Sequence, residues 1–164
     1  MTEHFEMNTK KLFVGDIGYA LEEKLYHDVW GDKLGFADGL IKTEDGQVAA
    51  VVGSTAYGDG TYYSTDGLEY GVDAGVIGIT DINYSDVDEK ELISCGTIVN
   101  VPSGSAKIVF TCDEGEFNIS IMDKSSGHVL YDQQIITGED EDEEPIDYWY
   151  YEDDEDDYYD DYDD

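Results

Sequence analysis

Three aspartates stand in glycine-rich settings: Asp16 in VGDIGY, Asp59 in YGDGTY and Asp73 in GVDAG. Carboxylates converging from three loops would suit a hard divalent cation, which takes oxygen ligands, or acid–base chemistry. The same residues also suit a plainer purpose. An Asp side chain accepts hydrogen bonds from nearby backbone N–H groups in turns and helix caps, and Gly adopts backbone angles closed to other residues. Asp-Gly turns are common in hairpin-rich chains, so turn chemistry is the stronger reading of the two.

Other candidate motifs break down on inspection. Asp81, Asn83 and Ser85 place oxygens at the first, third and fifth positions of a calcium loop. The sixth position is Asp86, where a sharp turn needs Gly, and the twelfth is Leu92, where a bidentate Glu is needed. A strand end followed by a helix cap is expected there instead. His4, His27 and His128 lack metal-ligand spacing to one another. G-x-S-x-G is absent, GDGTYY (58–63) lacks the last Gly of a dinucleotide fingerprint, and no G-x-x-x-x-G-K occurs. Ser54, Ser64 and Ser94 have no evident base nearby in sequence. No catalytic residue, metal ligand or cofactor is therefore predicted, and an enzyme is the weaker reading. Cys95 and Cys112 are too far apart for a zinc knuckle or a redox dithiol and read as buried thiols in a reducing compartment.

Charge is the strongest signal. The formal net charge is −33, and all eight cationic side chains are Lys. Residues 139–164 hold 17 acids, seven aromatic rings and no Lys. A compact core cannot enclose so much like charge, so the chain divides into an acidic globular domain, residues 1–138, and an acidic Tyr-rich tail, residues 139–164, expected to be disordered. Direct nucleic-acid binding is disfavoured, because it needs cations that displace counterions, and anionic membrane is disfavoured for the same reason. A basic protein is the favoured partner; solubility alone is the plainer use of such a tail. The partner-binding candidates are the ring cluster Tyr148, Trp149, Tyr150 and Tyr151, the six acids Glu152, Asp153, Asp154, Glu155, Asp156 and Asp157, and then Tyr158 and Tyr159. The aromatic cluster 148–151 suits an added edge strand.

The elements that must position these residues read mainly as strands. KLFVG (11–15) is a first strand. YALEEKLYHDVW (19–30) places Leu21, Leu25 and Val29 at four-residue spacing, which predicts a short helix capped by Asp16 and ended by Gly31. Asp-Gly pairs at 38, 45, 59 and 66 punctuate apolar runs at 39–43, 47–54, 61–64 and 68–80. Asp86 and Glu89 predict a capping-box start for a second helix over 85–95, stopped by Gly96. Strands follow at 97–101, 105–112, 116–122 and 128–136. The expected fold class is α+β: a mainly antiparallel β domain, a small sandwich or roll, with two short helices. The N-terminus has no apolar stretch of signal-peptide type, and no run is long enough to span a membrane, so a cytosolic location is expected.

VGDIGYAL (14–21), STAYGDGTYYSTDGLEYGVDAGVIGI (54–79) and GEFNISI (115–121) together resemble a group of small bacterial and phage proteins of no established activity. Those proteins carry ordered GD-x-x-Y, GDG-x-Y and VD-[AS]-G-x-IG segments, and the likeness spans most of residues 12–136. Ile17-Gly18 departs from the Pro-Cys or similar pair expected at that place, and the tail lies outside the shared part. The resemblance implies a phage or prophage setting, hence the cytoplasm of a bacterial host. Combined with the charge, this leads to the expectation of an inhibitor that occupies the basic groove of a nucleic-acid-binding protein by mimicking nucleic acid, with host defence as the target. The alternatives are a structural or assembly protein forming homo-oligomers, and a divalent-metal-dependent enzyme or binder using Asp16, Asp59 and Asp73.

Overall fold

A computed structural model describes residues 1–137 and reveals a mainly antiparallel β fold with three sheets and few, short helices. The strands are β1 (Thr2–Met7), β2 (Lys11–Gly15), β3 (Gly39–Lys42), β4 (Val48–Ser54), β5 (Gly60–Tyr63), β6 (Glu69–Val72), β7 (Val76–Asp81), β8 (Thr97–Asn100), β9 (Ala106–Asp113), β10 (Glu116–Asp123) and β11 (Val129–Ile136). One sheet has the order β1-β9-β10-β11, the second β3-β4-β7-β2-β8, and β5 with β6 forms a separate hairpin. In β9, Ala106, Ile108, Phe110 and Cys112 are buried, and in β10, Phe117, Ile119 and Ile121 are; both alternate with more accessible residues. Period-two alternation puts each set on one face of its sheet. That face meets Leu12, Val14, Val51, Ile77 and Ile79 of the second sheet in one shared core, closing the two larger sheets as a sandwich. Phe110 and Phe117, on neighbouring strands of the first sheet, meet edge to face within it, with ring centroids 6.0 Å apart.

The second sheet is covered on both sides, which explains why VAAVV and VIGIT show no alternation. Its outer face carries Ile41, Ala50, Val52 and Val76, packed under Ile17, Leu21, Leu25 and Trp30 from the helical segments. Gly78 lies at the centre of this sheet, opposite Val52, and a Cβ there would stand 1.9 Å from the Val51 carbonyl oxygen. Only a residue without a side chain lets the strands approach so closely.

Four local expectations are corrected. The predicted helix over 19–30 is two pieces: α1 (Ile17–Ala20) and a π-helical segment, Leu25–Lys33. Leu21 leaves the helix between them to bridge Ser85, and Glu22 N–H bonds the Tyr84 carbonyl. Gly31 does not stop the segment but lies inside it. Helix α2 spans only Glu89–Ile93, with Asp88 rather than Asp86 at its start, because the Ser85 hydroxyl instead holds Val87 N–H. Residues 68–80 are two strands, not one, parted by a turn at Asp73–Gly75. Strand β1 had no counterpart in the sequence reading; its two Glu residues and one His dilute the apolar pattern. No described helix is long and apolar enough to cross a membrane.

Candidate functional site

The three Gly/Asp motifs meet, joined by the Asp16 carboxylate and by backbone contacts rather than by a convergence of three carboxylates. Asp16 ends β2 and caps α1: Oδ1 accepts Gly18 N–H at 2.7 Å, satisfying one of the donors a helix start leaves free. Oδ2 accepts Asp73 N–H and Ala74 N–H, both at 2.7 Å. The carboxylate is fully buried with three N–H donors upon it. This clasp folds residues 73–75 into the turn that separates β6 from β7. Gly75 takes φ +78°, which favours glycine, and a Cβ there would lie 3.6 Å from Gly58 Cα. Thr55 ties the two loops together, its N–H bonding the Gly75 carbonyl at 2.9 Å and its hydroxyl the Gly58 carbonyl at 2.7 Å. The Tyr62 hydroxyl donates to the same Gly58 oxygen at 2.9 Å.

Asp59 and Asp73 point their carboxylates outward as exposed residues. Among the described residues, no three His, Cys, Asp or Glu side chains group in a way that could hold a metal ion. Beside the seam stand two tyrosines. Partial burial and then the Asp73 and Asp16 carboxylates push Tyr19 above the usual phenol range; burial and then the same pair, Asp16 first, push Tyr26 up. These rings are thus neutral donors at physiological pH, unsuited to act as phenolate bases. Neither thiol is activated: burial, then Asp16, raises Cys95, and burial, then Asp38, raises Cys112 to about 11. Cys112 is buried as expected, whereas Cys95 is only half-buried.

The Asp81 motif ends β7, and Oδ1 accepts Asn83 N–H at 3.0 Å to cap a 3₁₀ turn, Ile82–Tyr84, in line with the strand-end reading. His4 in β1, His27 in the π-helical segment and His128 in the loop before β11 are all exposed. A groove of about 560 Å³ runs between the edges of the sandwich, lined by β8 and β11 and by Asp66 and Leu68. At its inner wall the Tyr70 and Tyr131 hydroxyls bond at 2.6 Å, with Thr97 at 3.0 Å from Tyr70. Burial raises both phenols.

An aromatic corner that no sequence pattern announces lies at the end of the π-helical segment. Tyr26 and Trp30 meet edge to face at 5.1 Å, and Trp30 and Phe36 at 5.0 Å. The Trp30 indole donates to the Ala37 carbonyl at 2.8 Å. The Phe36 ring lies against Gly31, where a Cβ would come within 2.9 Å of it. Trp30 and Phe36 are six positions apart, which is off one face of an α-helix, and the stretch between them, with Gly31, Asp32, Lys33 and Gly35, carries no strand-like alternation. The ring-and-acid stretch from Tyr148 to Asp157, with Tyr158 and Tyr159, lies outside the described residues. No protein-family model matches the chain, and neither a curated protein nor a solved structure matches it.

Proposed function

We propose that this protein is an acidic inhibitor that occupies the basic surface of a nucleic-acid-binding protein in place of nucleic acid. The observation that carries this reading is the charge: −33 overall, no Arg, and 17 of the acids in residues 139–164. Among the described residues, lysine ion pairs are limited to Lys11–Glu89 at 2.8 Å and Lys124–Glu6 at 2.9 Å, so most domain carboxylates face water without a cation beside them. Such a field steers association with a positively charged surface and falls off with salt. The six acids from Glu152 to Asp157, held extended on a partner, would advance ~3.3 Å per residue, close to the ~3.4 Å between phosphates of one DNA strand. The tyrosines on either side would fill places where bases stack on a single-strand-binding surface. A phage setting makes a host defence nuclease the natural target class.

Displacement tests the reading. Full-length protein and a chain lacking residues 139–164 are titrated against labelled DNA bound to a basic nuclease, at low and moderate salt. The full chain is expected to release the DNA, more effectively at low salt, and loss of the tail is expected to weaken release by at least tenfold. Equal potency of the two chains at both salt concentrations would refute the role given to the tail.

A further inference from the structure

The aromatic corner around Phe36 has two features that structure alone does not require. Phe36 is 54% exposed, and Leu34 beside it is 40% exposed, although Trp30 directly beneath is buried. Phe36 also adopts φ +60°, immediately after Gly35 at +63°. Left-handed backbone is relaxed for Gly and strained for a bulky aromatic. A second Gly, or an Asn, would make the same turn without strain, and the ring would not then be displayed. Strain held in place to present a side chain is a reason to look for what that side chain meets. The π-helical segment itself, Leu25–Lys33, is a rare backbone form often found where function needs it.

The setting of the ring specifies the partner's chemistry. Exposed Asp28 and Asp32 belong to the π-helical segment, and exposed Asp38 follows Phe36 by two residues, its carboxylate accepting the Ser54 hydroxyl at 2.7 Å. Exposed Glu23 precedes the segment; Lys24 and Lys33 are the cations of this stretch. Phe36 stands at right angles to Trp30 (86°) and tilted to Tyr26 (60°), and 54% of it remains open to solvent. A guanidinium or ammonium laid on the exposed ring gains the cation–π attraction, and the exposed carboxylates of the same stretch favour a cationic partner. A second copy of the chain would bring another −33 to an already acidic surface. We infer that the Tyr26–Trp30–Phe36 corner is a docking platform for an arginine- or lysine-bearing segment of a basic protein. It is a second contact point on the domain, separate from the tail. The inference rests on the proposed function for its partner class and deepens it by locating a contact within the folded part.

The probe is an eight-residue peptide of alternating Arg and Gly, with a citrulline version as the neutral control, titrated into the full ¹⁵N-labelled chain at moderate salt. The reporters are the Trp30 indole N–H, told from that of Trp149 by the variant Trp149→Phe, and the Phe36 amide, which bonds the Trp30 carbonyl at 2.8 Å. Both resonances are expected to shift saturably with the Arg peptide and not with the citrulline one. Phe36→Asn, a residue that tolerates left-handed backbone, is expected to abolish the saturable shift of the Trp30 indole. If the peptide binds but the Trp30 and Phe36 signals stay still, or if Phe36→Asn leaves them titrating unchanged, the platform is refuted while the tail-based inhibitor reading survives. If the peptide does not bind anywhere on the chain, both fall. Self-association lost on Phe36→Asn would overturn the inference in favour of a second copy.

Discussion

The Asp16 seam and the Phe36 corner both adjoin the helical segments, and they treat their unusual residues in opposite ways. At the seam a carboxylate is fully buried, and three N–H groups satisfy it. At the corner an aromatic ring is more than half exposed on a backbone conformation that disfavours it. Burial of a polar group is tolerated only when its hydrogen bonds are made, so the seam is a structural solution in which every donor is accounted for. Exposure of strained apolar surface has no such internal justification. Within one domain, saturation marks what holds the fold together, and the displayed ring is what the proposed platform rests on.

Substitutions at the two places should break that contrast unequally. Asp16→Ala should have the largest effect, because it removes three backbone N–H bonds to a buried carboxylate, each worth roughly 1.5–3 kcal/mol when the acceptor is charged, and frees the 73–75 turn. A loss of ~3 kcal/mol or more, against a typical total of ~5–15, should appear as a fall in Tm of many degrees or as failure to fold. A fall of only a degree or two would mean that the seam does not hold the turn. Tyr131→Phe comes next. It leaves the Tyr70 hydroxyl with Thr97 but without its 2.6 Å partner, and denaturant unfolding should register a loss of about 1–2 kcal/mol.

A pH series on two further buried carboxylates sharpens the saturated side. The Ser103 N–H, joined by those of Ser125 and Ser126, holds the Asp123 carboxyl below its usual range. That lowering stabilises the fold above the ordinary carboxylate pKa and is lost as pH falls through the still lower folded value. Asp81 is the reverse: burial raises it despite the bond from Asn83 N–H, so its favourable contribution belongs to low pH and is lost as pH rises through the folded value. Asp123→Asn should therefore lower Tm at neutral pH, with the gap to the parent closing in acid. Asp81→Asn should leave neutral-pH Tm unchanged or higher. Parallel behaviour of the two variants in melts from pH 7 to pH 3 would contradict both assignments.

The smallest effect is expected at Phe36. Phe36→Asn gives up the buried half of a ring, roughly 1–2 kcal/mol, and relieves left-handed strain of similar size, roughly 1–2 kcal/mol. The net change should stay below ~1 kcal/mol, visible as a Tm shift of a few degrees at most. A large loss of stability would show that the ring serves the core rather than a partner.

The fold was legible where one face of a strand meets the core and the other meets water. Phe117, Ile119 and Ile121 announced β10 through period two, and ten of the eleven strands overlap the runs read from pattern and turn residues. The helical layer was less legible. Leu21, Leu25 and Val29 have helical spacing, but Leu21 finds Ser85 across the structure, and that distant pairing divides the segment. The seam was half legible: Asp16 was readable as a cap from its neighbours, whereas its bonds to Asp73 and Ala74 span more than fifty residues and have no local signature. Phe36 left no trace in periodicity, because a single positive φ is imposed by the loop and the Trp30–Gly31 surface it packs against.

By its residues alone this chain determined its excess of negative charge, the alternation that makes sheets, and the Gly and Asp that turn between them. These are local or additive properties, carried by each residue wherever the fold puts it. Tertiary structure decided which glycine must be bare because another strand's carbonyl lies against it, which carboxylate is silenced by N–H donors, and which ring is left facing water. Each of those outcomes depends on what a residue meets across the fold, and no local pattern encodes a neighbour that arrives from elsewhere in the chain.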